Sequence, residues 1–523
     1  MDALRLTNLR SLRDTGFVGL KPLTVLVGQN SSGKSTFLRS LPLLRQSVEA
    51  QTEGPILWYG SYVDFGGFDD ALRDGADTDI IGTDFKFKLA APQTRRRAYR
   101  SSVLGHRGVL HDLDVECSLR LARAEKDKSI SRPVSVEFRI EDHNIRLAFD
   151  EDGKVQEFVV NERDVLSFDC HFHSQAAGDF IPIVGRVERP EPPTQSTSHG
   201  RRLHLIPNIL FNALKPEFHG LTKDSKIWKI ANQLGIGSTE AMVRDIRNTS
   251  GPKTWRQNVS ELSATDCKLR RIRDIVIADA CGALLISADN YITQFARGIR
   301  YIGPVRAQAQ RYYRPQSLAV KEVNPRGDNL AVFLRSLDVS ERRSFQEWTN
   351  QHFGLVVKAT TKGEHLSLTL TESESGPDYN LADVGFGFSQ LIPVLAQLWA
   401  IQSGSRVGRG FSRRVTYAIE QPELHLHPSL QAKLADVFLG ALDAARSNNI
   451  DLRLIIESHS ETIINRIGDR IAEEPSQREK AQVVVFEREK ATLTKLRISE
   501  YDEEGFLSNW PYGFFDPDSI GVG

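Results

Sequence analysis

The run Gly28-Gln29-Asn30-Ser31-Ser32-Gly33-Lys34-Ser35-Thr36 fits the spacing G-x-x-x-x-G-K-[ST]. Residue types in this order can hold a phosphate chain. Gly28 and Gly33 let the backbone curl, so that successive N–H groups through Asn30, Ser31 and Ser32 point inward. A helix starting at Lys34 would add its positive dipole end. Lys34 would reach the β- and γ-phosphates, Ser35 would offer its hydroxyl to Mg²⁺, and Thr36 would lie near the α-phosphate. The alternative is a Gly/Ser-rich turn that binds nothing. The apolar segment before the run and the helical pattern after it weigh against that alternative.

Phosphate chemistry also needs a carboxylate for the metal and a group that orients water. Two later segments supply candidates. Val415–Ile419 is apolar and runs into Glu420-Gln421-Pro422-Glu423, and Leu452–Ile456 is apolar and runs into Glu457-Ser458-His459-Ser460. Both place polar groups where ligands bind in open α/β sheets, at strand C-terminal ends. Singly, Glu420 is also readable as a solvated strand end and His459 as a helix-start residue. Together with the phosphate loop, those readings lose ground. Gly387, Ser389 and Gln390 precede an apolar stretch, Leu391–Leu398, expected to be a helix, and small residues there would let backbone approach an anion. An ordinary loop capped by Ser389 fits the same residues.

These groups need elements to carry them. Ala3–Thr7 alternates, and Leu23–Val27 reads as a short buried strand ending at Gly28. Leu38, Leu41 and Leu44 keep helical spacing after Lys34, with Pro42 expected to kink or end the helix early. Residues 84–90, 133–140 and 155–160 alternate as strands, with Asp152-Gly153 as a hairpin-type turn. Residues 188–200, rich in Pro, Ser and Thr, form the best internal boundary. From 204 to 298 the pattern is mostly helical, and Cys267–Arg297 reads as one or two long helices. From Tyr301 onward strand and helix signals alternate, as an α/β domain requires. No sustained heptad and no internal repeat is visible.

Composition narrows the class. With 523 residues, two to four domains of roughly 100–200 residues are expected. Hydrophobic residues at 40% and charged residues at 26% exclude bulk disorder and collagen-like chains. Lys+Arg and Asp+Glu balance at 67 each, which argues against coating nucleic acid through net charge but leaves local patches open. Cys117, Cys170, Cys267 and Cys281 contain no CxxC pair and read as reduced thiols. No signal-peptide core or run of some 18 apolar residues stands out, so a cytoplasmic protein without a membrane span is expected.

In combination, the motifs resemble an ABC/SMC-type ATPase head of the branch that includes RecF and OLD-type proteins. Leu6-Thr7-Asn8-Leu9-Arg10-Ser11-Leu12 is similar to that branch's opening, and Tyr301–Arg306 to a block of one subgroup. Ala382–Gln390 resembles the signature motif. Ile419–Pro428 resembles Walker B with its D-loop, including His425 and His427. Ser458-His459-Ser460 resembles the switch-histidine loop, and Asn509–Asp516 a C-terminal block. Within the branch, the chain resembles Septu-type and retron-associated antiphage ATPases.

The resemblance implies a mixed α/β fold: a P-loop head with flanking helices, split by a large β-rich and helical insertion. The implied divisions are 1–90 and 301–523 for the two parts of the head, 91–200 for a β-rich arm and 201–300 for a helical lid. The insertion is where a partner is expected to bind. It also implies two heads sandwiching two ATP, each P-loop facing the partner's Gly387, Ser389 and Gln390, so at least a homodimer and room for a larger assembly. Glu420 would serve Mg²⁺ with Ser35, while Glu423 and His459 would assist. Many such heads place a catalytic glutamate after the metal carboxylate; here Gln421 stands there. An amide orients water but accepts no proton, so slow hydrolysis is expected. The expected function is ATP-gated control of an HNH-type nuclease partner, with a retron reverse transcriptase and its RNA-linked DNA in retron versions. A RecF/SMC-like repair ATPase and a nucleotide-stabilised scaffold are the rivals. No nuclease motif is visible, and the chain after His459 is short for another catalytic domain.

Weaker constellations remain. Cys170-His171-Phe172-His173 contains metal-ligand types but lacks a second ligand pair. Arg95-Arg96-Arg97 with Tyr99 and Arg100, Arg311-Tyr312-Tyr313-Arg314, and Arg201-Arg202 read as solvated charge or as local nucleic-acid contacts. Val63–Phe68 lies where a Q-loop belongs.

Overall fold

The computed structural model describes residues 1–50, 52–90, 109–125, 127, 130–166, 172–175, 179–186, 207–316, 318, 320–371, 376–404, 413–490, 493–511 and 514–515. The chain opens with β1 (Ala3–Leu9), β2 (Leu12–Asp14), β3 (Val18–Gly19) and β4 (Leu23–Gly28), then α1 (Lys34–Glu49) and the short α2 (Phe68–Ala71). Strands β5 (Ile81–Leu89), β6 (Leu113–Arg123), β7 (Ser131–Ile140), β8 (His143–Phe149), β9 (Val155–Val160), β10 (Arg163–Asp164), β11 (Phe172–Gln175) and β12 (Ile183–Arg186) follow. Next come helices α3 (Pro207–Leu214), α4 (Asp224–Ala231), α5 (Thr239–Asn248), α6 (Lys253–Val259) and α7 (Cys267–Arg297). After them lie β13 (Ile299–Ile302), α8 (Leu330–Arg335), α9 (Val339–Phe353), β14 (Val356–Lys362), β15 (His365–Thr371), β16 (Tyr379–Asn380) and α10 (Phe386–Gln402). The chain closes through β17 (Arg414–Glu420), α11 (Pro428–Ser447), β18 (Asp451–Glu457), α12 (Glu461–Glu473), β19 (Ala481–Lys490) and β20 (Leu493–Ser499).

The fold is mixed α/β, and its centre is a six-stranded sheet in the order β13-β17-β18-β4-β19-β20. Neighbours are parallel from β13 to β19, and β20 adds antiparallel. Parallel strands require covering on both faces, so their sequences are apolar throughout. The two-residue side-chain period divides them between two cores. Leu26, Ala418, Ile455, Val484 and Phe486 face a core shared with α1 and α7. Val25, Val27, Tyr417, Ile419, Leu454, Ile456, Val483 and Val485 face a second core built with α8 to α12.

The second large sheet is antiparallel, ordered β10-β9-β8-β7-β6-β5-β1-β2, with β3 on β1. Its strands alternate buried and exposed residues, as a sheet with one covered face requires. The division expected at residue 90 does not open a separate sheet. Strand β6 pairs along β5 from Ile81↔Leu121 to Leu89↔Leu113, and β5 pairs with β1. The β-rich segment therefore extends a sheet begun by the first residues of the chain. The expected turn at Asp152-Gly153 joins β8 to β9, with Gly153 at φ 77° and Asp150 Oδ1 accepting from the Asp152 and Lys154 N–H groups.

Two helical expectations are decided by packing. Helix α1 does not stop at Pro42; it continues to Glu49 with Leu41, Leu43 and Leu44 buried. Cys267–Arg297 is a single helix, α7, packed against α1. By length and composition α7 is apolar enough to cross a membrane, but 72% of its apolar window is buried inside the protein. That burial is consistent with the core helix of a soluble protein. Cys117, Cys267 and Cys281 are free thiols. The boundary at 188–200, the cluster at 95–100, Arg201-Arg202, and Cys170 and His171 lie outside the described residues.

Candidate nucleotide site

Strand β4 is buried throughout and delivers Gly28 to the carboxyl edge of the parallel sheet. The loop then turns through backbone conformations that disfavour side chains. Gly28 has φ 150°, Ser31 φ 61° and Gly33 φ 95°. A Cβ on Gly28 would meet the Phe486 carbonyl oxygen at 2.4 Å, and one on Gly33 would meet Leu12 Cδ2 at 2.6 Å. Glycine is thus required twice by the close approach of β19 and β2. Gln29, Asn30 and Ser31 are exposed, whereas Ser32 is buried with an unpaired Oγ. Lys34 is buried and donates to the carbonyls of Gly28 (2.9 Å) and Gln29 (2.8 Å). Burial lowers its pKa.

The sheet brings the distant candidates to this loop. Strand β18 lies between β17 and β4, and Glu420 and Glu457 are register partners at the ends of β17 and β18. The Ser35 hydroxyl donates to Glu457 Oε1 at 2.9 Å. Glu420, expected to serve Mg²⁺ with Ser35, is bonded to other side chains. Both Glu420 oxygens are taken by Arg39, Nε to Oε1 and Nη2 to Oε2 at 2.8 Å each, and the Tyr301 hydroxyl donates to Oε1 at 2.7 Å. These bonds raise the Arg39 pKa, and burial raises that of Tyr301. Burial, with the Glu420 charge next in effect, pushes Glu457 up to about 7. Its Oε2 is buried without a partner.

Glu423 and His459 also meet, because Glu423 Oε1 accepts the His459 N–H at 2.7 Å. Burial raises the Glu423 pKa and lowers that of His459, with the Lys34 charge adding to the second effect. A neutral imidazole beside the loop can accept a hydrogen bond from water. Gln421 has φ 42°, and its N–H donates to the Glu457 carbonyl at 2.8 Å. Its position therefore belongs to the same strand-end cluster.

The segment at Gly387 differs from expectation. Helix α10 begins at Phe386, ahead of the Leu391 start expected, with Gly385 at its N-cap. Ser389 is therefore in the first turns and does not cap. A Cβ on Gly387 would lie 2.5 Å from the His425 carbonyl oxygen, and the Phe386 and His425 rings meet edge-on at 4.9 Å. Gln390 points inward: its Oε1 accepts the Arg306 N–H at 3.0 Å and its Nε2 donates to the Arg306 carbonyl at 3.2 Å. Arg306, 2% exposed, then donates through Nη2 to the Glu420 carbonyl at 2.6 Å. Burial lowers its pKa to about 10. One arginine thus ties the start of α10 to the end of β17.

Sequence reasoning assigned no role to Arg39, Tyr301, Arg306 or Glu457. Tyr301 and Arg306 stood in a block already singled out, and Glu457 stood two residues before His459. Arg39 carried no local signal, since any helix surface shows arginines. His427 caps α11, accepting the Ser429 N–H at 3.2 Å. Asp64 and Phe65, in the expected Q-loop, hold Arg10: its guanidinium bonds the Asp64 carbonyl and lies 4.4 Å from the Phe65 ring centroid. Arg311 pairs with Asp383 at 2.6 Å, and Tyr313 bonds the Leu366 backbone, which gives half of that Arg-Tyr cluster structural work. Among the described residues no group of three or more His, Cys, Asp or Glu is arranged to hold a metal.

The residues fit a nucleotide with Mg²⁺. Two glycines are forced open beside a helix N-terminus, a lysine folds onto the loop, and Ser35 and Glu457 offer the hard oxygen ligands Mg²⁺ takes. Mg²⁺ would supply positive charge to the phosphate oxygens.

Family models agree with this geometry. One described as "AAA ATPase domain" matches residues 327–464, and one described as "AAA domain, putative AbiEii toxin, Type IV TA system" matches residues 23–157. The chain carries AAA-type ATPase domain sequence. In this ATPase, the second match begins at β4 and includes Gly28–Thr36, and the first includes Gly387–Gln390, Glu420, Gln421 and His459. No curated protein matches the chain. Solved structures similar to it include an SMC head bound to the C-terminal winged-helix domain of ScpA, at 8% identity and TM-score 0.33, covering 95% of this chain and 97% of that one. The SMC head domain from Thermotoga maritima is 7% identical, with TM-score 0.33 and coverage of 95% and 97%. The Smc head with a coiled coil and joint from Pyrococcus yayanosii is 10% identical, with TM-score 0.33 and coverage of 96% and 97%. Similarities this distant bear on neither partners nor substrates.

Proposed function

We propose that this ATPase binds ATP with Mg²⁺, hydrolyses it slowly, dimerises around it and controls a partner nuclease in bacterial antiphage defence, like the Septu ATPase PtuA or its retron-associated forms. The observation that carries the reading is the convergence of Lys34 and Ser35 with Glu420, Glu457 and His459 at one sheet edge. Gln421 supports slow turnover, because the residue after the strand-end glutamate is an amide in a left-handed backbone position. Gly387, held against the His425 carbonyl, is a backbone surface that a second head's nucleotide could approach. The β-rich and helical insertion, residues 91–300, is the surface offered to an HNH-type nuclease or to a retron reverse transcriptase with its RNA-linked DNA.

The test is purification with the product of the neighbouring gene, followed by single-turnover hydrolysis and light scattering with and without ATP. The expected result is a co-purifying nuclease and an ATP-dependent increase in mass that is lost in Lys34→Ala. Stable DNA binding by the isolated dimer, with no nuclease, would move the assignment to a RecF/SMC-like repair ATPase. Gln421 favours a second reading, a nucleotide-stabilised scaffold. It would be established by an ATP-dependent dimer with no single-turnover hydrolysis.

A further inference from the structure

Two exposed apolar side chains stand at the tips of ordered turns, and the charges around them are of opposite sign. Leu221 is 88% exposed. Its turn is closed by His219, whose Nδ1 accepts the Leu221 N–H at 3.2 Å and whose carbonyl accepts the Thr222 N–H at 2.8 Å. From His219 to Lys229 the chain carries Lys223, Lys226 and Lys229, all exposed, against the single acid Asp224. Phe506 is 66% exposed. It sits on a hairpin in which Tyr501 bridges Leu507, and Asp502 Oδ1 accepts the N–H groups of Glu504 at 3.0 Å and of Phe506 at 2.9 Å. Gly505, at φ 83°, lies so close to α12 that a Cβ would collide with the Gly468 carbonyl. The same hairpin carries the exposed acids Glu500, Asp502, Glu503 and Glu504, of which Glu500 pairs with Lys21 and Glu503 with Arg478, at 2.7 Å each.

A single exposed apolar residue is ordinary on a protein surface. Here each one is fixed by its own turn, so little ordering is left to oppose its burial by a partner. Both are uncovered, so they do not meet within one chain. The hairpin also lies away from the nucleotide site. Strand β20 ends at Ser499, opposite Val483 in β19, and β19 begins at Ala481, opposite Leu23 at the start of β4. That is the amino edge of the parallel sheet, whereas Gly28, Glu420 and Glu457 end their strands at the carboxyl edge.

We propose that the Leu221 turn of one copy docks on the Phe506 hairpin of a second copy. The apolar tips pack together, while Lys223 and Lys226 face Glu503 and Glu504. Two different surfaces meet in this contact, so it repeats from copy to copy and builds a ring or an open chain. It goes beyond the ATP-dependent pairing proposed above, because it needs no nucleotide and uses the opposite edge of the sheet.

Sedimentation velocity of the full, nucleotide-free chain in EDTA, over a range of protein and salt concentrations, tests this. The wild type is expected to associate at low salt and to dissociate as salt screens the charges. Leu221→Ser and Phe506→Ser should each weaken association at least about tenfold, and thermal melts would show that each variant is folded. Lys223→Glu with Lys226→Glu, and separately Glu503→Lys with Glu504→Lys, should lose association, and a chain carrying all four reversals should recover it. A monomeric wild type, association unaffected by these variants, or no recovery with all four reversals would overturn the proposal. So would association that requires ATP and is lost in Lys34→Ala, since that contact belongs to the nucleotide edge. A fluorescein-labelled DNA duplex that binds a monomeric wild type, and fails to bind the chain with Lys223→Glu and Lys226→Glu, would assign the lysines to nucleic acid and overturn it as well.

Discussion

Replacing Arg39 by Met tests the reasoning about the buried carboxylates most directly. In the structure Arg39 donates twice to Glu420, which is almost fully buried, and only the Tyr301 hydroxyl remains as another side-chain donor. Removing one partner of a buried pair costs about 3–5 kcal/mol, because the remaining charge stays desolvated. The Arg39 side chain is 32% exposed, so water screens part of the interaction and the lower end, about 3 kcal/mol, is expected. Urea unfolding followed by tryptophan fluorescence would measure it. The control is a double-mutant cycle with Glu420→Gln, where the double variant leaves no charge behind. Its loss should fall short of the sum of the single losses by roughly 2–3 kcal/mol. A loss under about 1 kcal/mol for Arg39→Met, or strict additivity, would place the pair with ordinary surface ion pairs and refute that reasoning.

Further outcomes follow from the same geometry. Burial raises the folded pKa of Glu457 from 4.5 to about 7, so its contribution to stability is fully present below pH 4.5 and is lost as pH rises to 7. In EDTA, Glu457→Gln should therefore gain on the wild type between pH 5 and pH 8, on the order of 3 kcal/mol; parallel stability curves would contradict this. Gly28→Ala places a Cβ 2.4 Å from the Phe486 carbonyl, so a lower melting temperature and at least tenfold weaker ATP-analogue binding are expected, read by thermal shift and fluorescence titration. Gln421→Glu supplies a proton acceptor, and single-turnover hydrolysis should rise by up to about 10²–10⁴-fold; an unchanged rate would assign proton acceptance elsewhere.

Much of the site could be read from local sequence. The glycine spacing of 28–33, the apolar run before it and Lys34-Ser35 after it specify a strand, a tight loop and a helix start without reference to the rest of the chain. The same holds for the apolar strands ending at Glu420 and Glu457, because parallel strands covered on both faces must be apolar throughout. Local pattern failed where packing overrode propensity. Pro42 lies inside α1 because Leu41, Leu43 and Leu44 are buried around it. Phe386 extends α10 toward the loop where it meets His425.

The sequence by itself therefore determined the chemistry available: a phosphate loop, strand-end carboxylates, a histidine and an amide where a proton acceptor is usual. Only the tertiary structure decided which carboxylate each donor takes. That choice depends on strand order, since β18 between β17 and β4 sets Glu457 against Ser35 and leaves Glu420 to Arg39 and Tyr301. These partners lie hundreds of positions apart in the chain, and no residue type or local spacing encodes which strand stands next to which. The packing thus leaves two glutamates of identical chemistry in different surroundings, one saturated with donors and one with an oxygen left open.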